Sequence, residues 1–143
     1  MIVSTDGSGL PPGRGTATQG RLVYQEHCAN CHGDKGQGMA GYPALVGGLG
    51  TLATDKPVRT IGSYWPYATT VWDHIRRTMP YTEPGTLTPN ETYSVTAYIL
   101  FLNGIIDEPV ELNEKTLPKV KMPNRDGFVP DPRPDITLKA RER

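Results

Sequence analysis

The chain has 143 residues, 16 of them glycine and 14 proline, enough for one core of ordinary size with much irregular backbone around it. Fifteen Lys+Arg balance 15 Asp+Glu, which excludes the broad basic surface that releases counterions from nucleic-acid phosphates. No apolar run nears the roughly 20 residues that span a bilayer, and the opening Met1-Ile2-Val3-Ser4-Thr5-Asp6 lacks the basic and apolar regions of a signal peptide. These features predict a soluble chain in mature form, with no membrane insertion and no nucleic acid as partner.

Residues 1–16 carry Gly7, Gly9, Pro11, Pro12, Gly13 and Gly15 with few apolar groups, the composition of a flexible N-terminal arm. From Ala17 to Cys31, Gly20, Val23, Tyr24, His27, Cys28 and Cys31 recur at spacings of three and four, which predicts a helix. It ends in Cys28-Ala29-Asn30-Cys31-His32, the c-type haem attachment string, and these are the chain's two cysteines. A disulfide framework, a structural zinc site and a thioredoxin-like motif each need more cysteines or another context. On a helix, Cys28 and Cys31 present both sulfurs to one haem edge for thioether bonds, and His32 follows where its imidazole can turn over the porphyrin and ligate iron.

The glycines of Gly33-Asp34-Lys35-Gly36-Gln37-Gly38 suit a loop passing close to a flat cofactor, continuing to Tyr42-Pro43-Ala44-Leu45. Residues 46–68 read as loop with at most a short helix. Residues 69–77 predict a two-turn helix capped by Thr69 or Thr70, with Val71, Trp72 and Ile75 on its apolar side. Thr88-Pro89-Asn90-Glu91 is a capping box with proline at the first helical position, and Tyr93, Val95, Tyr98, Ile99 and Leu102 then form an apolar face that Asn103-Gly104 ends. Gly20 facing the aromatics of this last helix predicts a close crossing with the first. Residues 109–143 hold six prolines and eight Lys+Arg with no apolar periodicity. They read as an extended C-terminal tail that wraps the core or a partner, the alternative being a tail disordered in the free protein; as a partner-binding element, its removal is expected to leave the haem spectrum unchanged. The haem domain is thus expected at 17–108.

Iron held by His32 leaves one axial position, and its occupant decides between electron transfer and ligand chemistry. Met1 is terminal, Met39 lies only seven residues past His32, and Met122 lies in the tail. Met79 stands between two predicted helices, where Pro80 favours an extended backbone, and it is the expected sulfur ligand; His74 is its competitor. His27 suits packing or a bond at the rim. Arg59, Tyr64, Trp65, Arg76 and Arg77 offer donors for the haem propionates, with Trp65 and Arg76 favoured.

Through Cys28-Ala29-Asn30-Cys31-His32-Gly33, Gly36-Gln37-Gly38, Pro43 and Met79-Pro80, residues 17–107 resemble a class I cytochrome c. That resemblance implies an all-α fold of three or more short helices around one covalent haem c, here with extended arms at both ends. It also implies that the Pro43 carbonyl accepts a bond from the His32 ring, and that Tyr24 and Tyr98 sit at the helix crossing. Gly62-Ser63-Tyr64-Trp65-Pro66-Tyr67-Ala68-Thr69-Thr70, Tyr93-Ser94-Val95-Thr96-Ala97-Tyr98-Ile99-Leu100 and Lys121-Met122-Pro123-Asn124-Arg125-Asp126-Gly127-Phe128 resemble, more narrowly, the first haem domain of the SoxD family, the cytochrome subunits of the Sox sulfur dehydrogenase. That likeness implies a periplasmic electron-transfer subunit paired with a molybdenum-cofactor, SoxC-like partner, passing electrons to a downstream cytochrome c and carrying no sulfur-oxidising site of its own. Many members of that family carry a second haem domain. Three alternatives stand beside it: a diffusible monohaem shuttle, a cytochrome subunit of a sulfite dehydrogenase, and a haem sensor or peroxidase with an open axial site.

Overall fold

The computed structural model describes residues 2–129. Its frame is a crossing of two helices, α1 (Ala17–His27) and α5 (Pro89–Leu102). Each begins at a capping box. The Thr16 hydroxyl accepts from the Gln19 N–H while Gln19 Oε1 accepts from the Thr16 N–H, and Thr88 and Glu91 repeat the exchange at α5 behind Pro89. Every residue from 92 to 100 is buried, so α5 is a central strut surrounded by protein and not a surface helix with one wet face. Tyr24 and Tyr98 meet at the crossing with ring centroids 5.3 Å apart.

Gly20 makes that approach possible. A Cβ there would collide with the Ser94 carbonyl and stand 2.8 Å from the Tyr98 Cβ. Gly20→Ala is therefore expected to cost about 3 kcal/mol, the upper end of ordinary overpacking, because a backbone must move rather than a flexible side chain. Urea denaturation of wild type and variant measures it.

The remaining elements surround this frame. One turn of helix, α2 (Ala29–His32), follows α1, and a second short turn, α3 (Ile61–Tyr64), precedes α4 (Ala68–Thr78). The helix expected to run unbroken to Cys31 is two pieces, because Cys28 adopts φ −121° and ψ −36° and Gly33 closes the second piece at φ +86°. Helix α4 is longer than the expected two turns. Tyr67 occupies its N-cap position without a side-chain hydrogen bond, and Thr69 and Thr70 lie within the first turn, where their hydroxyls donate to the Thr5 and Tyr67 carbonyls at 3.0 and 2.9 Å.

Both ends of the described chain lie on the core. The arm expected to be flexible buries Val3, whose N–H donates to Asp73 Oδ1 at 3.4 Å, and its strand β1 (Arg14–Gly15) pairs antiparallel with β2 (Leu112–Asn113), Arg14 opposite Asn113. Beyond β2 a 3₁₀ turn at Leu117–Lys119 leads to Met122, and Leu112, Leu117 and Met122 are each at most 1% exposed. Residues 109–129 thus wrap the core, held to it by Leu112, Leu117 and Met122. Their anchors are single buried side chains spaced by irregular backbone, which leaves no helical or strand period to detect. Residues 130–143 of the expected tail lie outside the described residues.

Candidate functional site

The two halves of the expected haem site converge on one cavity of about 850 Å³, within the range of cofactor clefts. Cys28, Cys31 and His32 reach it from the junction of α1 and α2; Ile75, Met79 and Tyr81 reach it from the end of α4 and the loop beyond; Val95 and Ile99 reach it from α5. Pro43, Trp65 and His74 also line it.

Local chain geometry explains the convergence. The Gly38 N–H donates to the His32 carbonyl at 2.7 Å and the Leu45 N–H to the Gly36 carbonyl at 2.8 Å, folding residues 33–45 back beneath His32. Gly38 holds φ +85°, and a Cβ on it would come within 2.9 Å of the Ala44 nitrogen, so the tight return requires glycine. His32 Nδ1 donates to the Pro43 carbonyl at 2.9 Å, which fixes the ring and leaves Nε2 free to coordinate a metal. The Tyr24 hydroxyl donates to the Gly33 carbonyl at 2.5 Å, tying α1 to the turn after His32. Burial, helped by nearby Cys28, pushes that phenol up to about 12, so it stays a donor.

Met79 follows α4 with an extended backbone, φ −114° and ψ 148°, and its N–H closes the helix on the Ile75 carbonyl at 3.0 Å. Among the described residues it is the methionine that lines the cavity. Met39 is 54% exposed and Met122 is buried in the core; Met1 lies outside the described residues. Cys28 and Cys31 are not joined in a disulfide, and both sulfurs are partly buried at the cavity wall. Two thiols, an oriented imidazole and a thioether in a mainly apolar cavity of this volume fit a covalent haem with His and Met axial ligands.

The propionate assignment changes. Trp65 lines the cavity, but Arg76 does not: it lies one residue past the inward-facing Ile75, about 100° around the helix, and its guanidinium donates to the Gly85 carbonyl at 3.4 Å. Arg77 is bound to Asp73 at 2.6 Å. Arg59, one of the wider set of donors, lines the cavity and lies over the Tyr64 ring at 5.5 Å.

His74 also lines the cavity, its ring 5.4 Å from that of Trp65. Burial, reinforced by Arg77 and opposed by Asp73, holds it below the ordinary histidine value of 6.5. The unfolded chain therefore takes up this proton first as pH falls, so stability is full above about pH 6.5 and declines below it. His74→Phe is expected to flatten the decline in Tm between pH 7 and pH 5, which thermal melts of the haem-loaded protein at both pH values measure.

Comparisons with known proteins agree with this geometry. Residues 15–99 match the family model described as cytochrome c oxidase, cbb3-type, subunit III. The structure is similar to the sulfane dehydrogenase SoxCD from Paracoccus pantotrophus, with TM-score 0.90 and 39% identity over 99% of this chain and 70% of that chain. Thiosulfate dehydrogenase (TsdBA) from Marichromatium purpuratum, in its as-isolated form, aligns with TM-score 0.44 and 32% identity over 59% of this chain and 17% of that chain. No curated protein matches.

Proposed function

Because this chain belongs to the cytochrome c family, with covalent haem c as its cofactor, we propose that it is the electron-transfer subunit of a periplasmic sulfur-oxidising complex. In this reading it accepts electrons from a molybdenum-cofactor sulfur dehydrogenase subunit and delivers them to a downstream cytochrome c. One observation carries the reading: the likeness to the SoxCD structure covers 99% of the chain, so it includes the arms as well as the haem core matched by the family model at residues 15–99. No helix among the described residues is long and apolar enough to cross a membrane.

When bound, haem c supplies a one-electron ferric/ferrous couple. The residues of this chain set where that couple sits and how it is poised. Cys28 and Cys31 would hold the porphyrin covalently, and His32, oriented by Pro43, would offer its imidazole to the iron. Met79 would offer its thioether sulfur to the iron, and a thioether favours the ferrous state. Ile75, Val95 and Ile99 keep water from the cavity wall, which disfavours the additional positive charge of the ferric state and raises the potential further.

Reconstitution tests the proposal. The haem-loaded protein, mixed anaerobically with a purified molybdenum sulfur dehydrogenase subunit and a carrier bearing sulfane sulfur, is expected to show the ferrous spectrum within the turnover time. A haem that stays ferric there, yet is reduced by dithionite, would contradict it.

A further inference from the structure

Two stretches singled out in the sequence, residues 62–70 and 121–128, have no part in the transfer just described, yet the fold lays one upon the other. Tyr67 and Lys121 form an antiparallel bridge, and the Arg125 guanidinium stands 4.3 Å above the Tyr67 ring. Asn124 Nδ2 donates to the Tyr64 carbonyl at 2.8 Å, and the Phe128 ring meets the Tyr64 ring edge-on at 5.2 Å. This strap is itself fixed: Met122 is buried in the core, the Arg125 N–H donates to the Met122 carbonyl at 3.0 Å, and Gly127 closes against the Asn124 side chain.

Tyr64 is where the strap reaches the cavity. It lines the wall and carries the Arg59 guanidinium over its ring at 5.5 Å. Among the described residues lining the cavity, Arg59 is the one permanent cation. A long, exposed guanidinium is otherwise free to sample many rotamers, so its position depends on the ring it lies over, and that ring depends on Asn124 and Phe128.

With haem c as the cavity's occupant, we propose that the 121–128 strap positions Tyr64, and through it Arg59, as the counter-charge to the haem carboxylates. Asn124 and Phe128 are positioning residues: neither lines the cavity. The electrostatic consequence has a definite sign. Carboxylate charge near the iron favours the ferric state; a guanidinium held beside those carboxylates offsets that charge and favours the ferrous state. Releasing Arg59 therefore shifts the equilibrium toward ferric.

Equilibrium redox titration of the haem-loaded protein tests this, with the pyridine haemochrome measured first for every variant. Arg59→Gln, Asn124→Ala and Phe128→Leu are each expected to shift the ferric/ferrous ratio severalfold toward ferric, and Phe128→Tyr, which keeps the ring, to leave it unchanged. Resonance Raman bands of propionate bending should move in the same three variants. Added to Arg59→Gln, neither strap substitution should shift the midpoint further. Wild-type midpoints in Asn124→Ala and Phe128→Leu, or shifts that persist at full size without Arg59, would overturn the proposal. A wild-type chain without covalent haem would sink the cofactor assignment itself, which the haemochrome shows before any midpoint is read.

Discussion

Replacing Met79 with alanine is expected to abolish the near-infrared sulfur-to-ferric-iron band and to lower the midpoint by on the order of 0.1 V, within the roughly 0.8 V that axial ligation spans. Met79 sits where helix α4 has just ended, with its N–H already committed to Ile75 and its extended backbone continuing into Pro80. The side chain lines the cavity, and the other described methionines do not. Losing the thioether leaves the iron open to solvent or added ligand, so carbon monoxide should bind the reduced variant far more readily than wild type. His74→Ala should leave the band intact. A band surviving in Met79→Ala would reassign the axial ligand.

The second large effect concerns the end of the described chain. A protein ending at Glu108 loses Leu112, Leu117 and Met122, all at most 1% exposed. Burying each such side chain contributes about 1.5–3 kcal/mol. Together the loss is on the order of 5 kcal/mol or more, against a typical total stability of about 5–15 kcal/mol. It also removes the partner strand of Arg14–Gly15 and the strap on Tyr64. The 1–108 form is therefore expected to melt far below the full chain and to alter the haem spectrum. Thermal melts followed by circular dichroism and by haem absorbance measure this. An unchanged melt and spectrum for 1–108 would show that residues 109–129 do not hold the core together and would leave them a partner-binding role alone.

These two regions show what was legible in the sequence and what was not. The attachment string at Cys28–His32 and the capping box at Thr88–Glu91 are local signals: the chemistry of each is complete within five residues, and the fold keeps both. Gly20 was readable for a similar reason, since a glycine in a helical stripe facing aromatics has few uses besides a close crossing. How the ends attach is not legible in the sequence because their ties are non-local. Val3 binds Asp73, and Asn124 binds Tyr64 sixty positions away; glycine and proline content cannot reveal such pairs. Arg76 was favoured over Arg59 on side-chain chemistry alone. Facing decides between them, because Arg76 sits on a helix whose adjacent position, Ile75, already takes the inward direction. The start of α4 was displaced because threonine hydroxyls satisfy carbonyls as readily as they cap N–H groups.

The intact mass of the matured protein, read beside its pyridine haemochrome spectrum, tests most directly whether a porphyrin is bonded to Cys28 and Cys31. The expected result is the mass of the polypeptide plus one haem, surviving denaturation, with the spectrum of a porphyrin whose two vinyl groups are both saturated; Cys28→Ser should shift that spectrum to the single-thioether type. A colourless protein with the mass of the bare chain would contradict the account at its root.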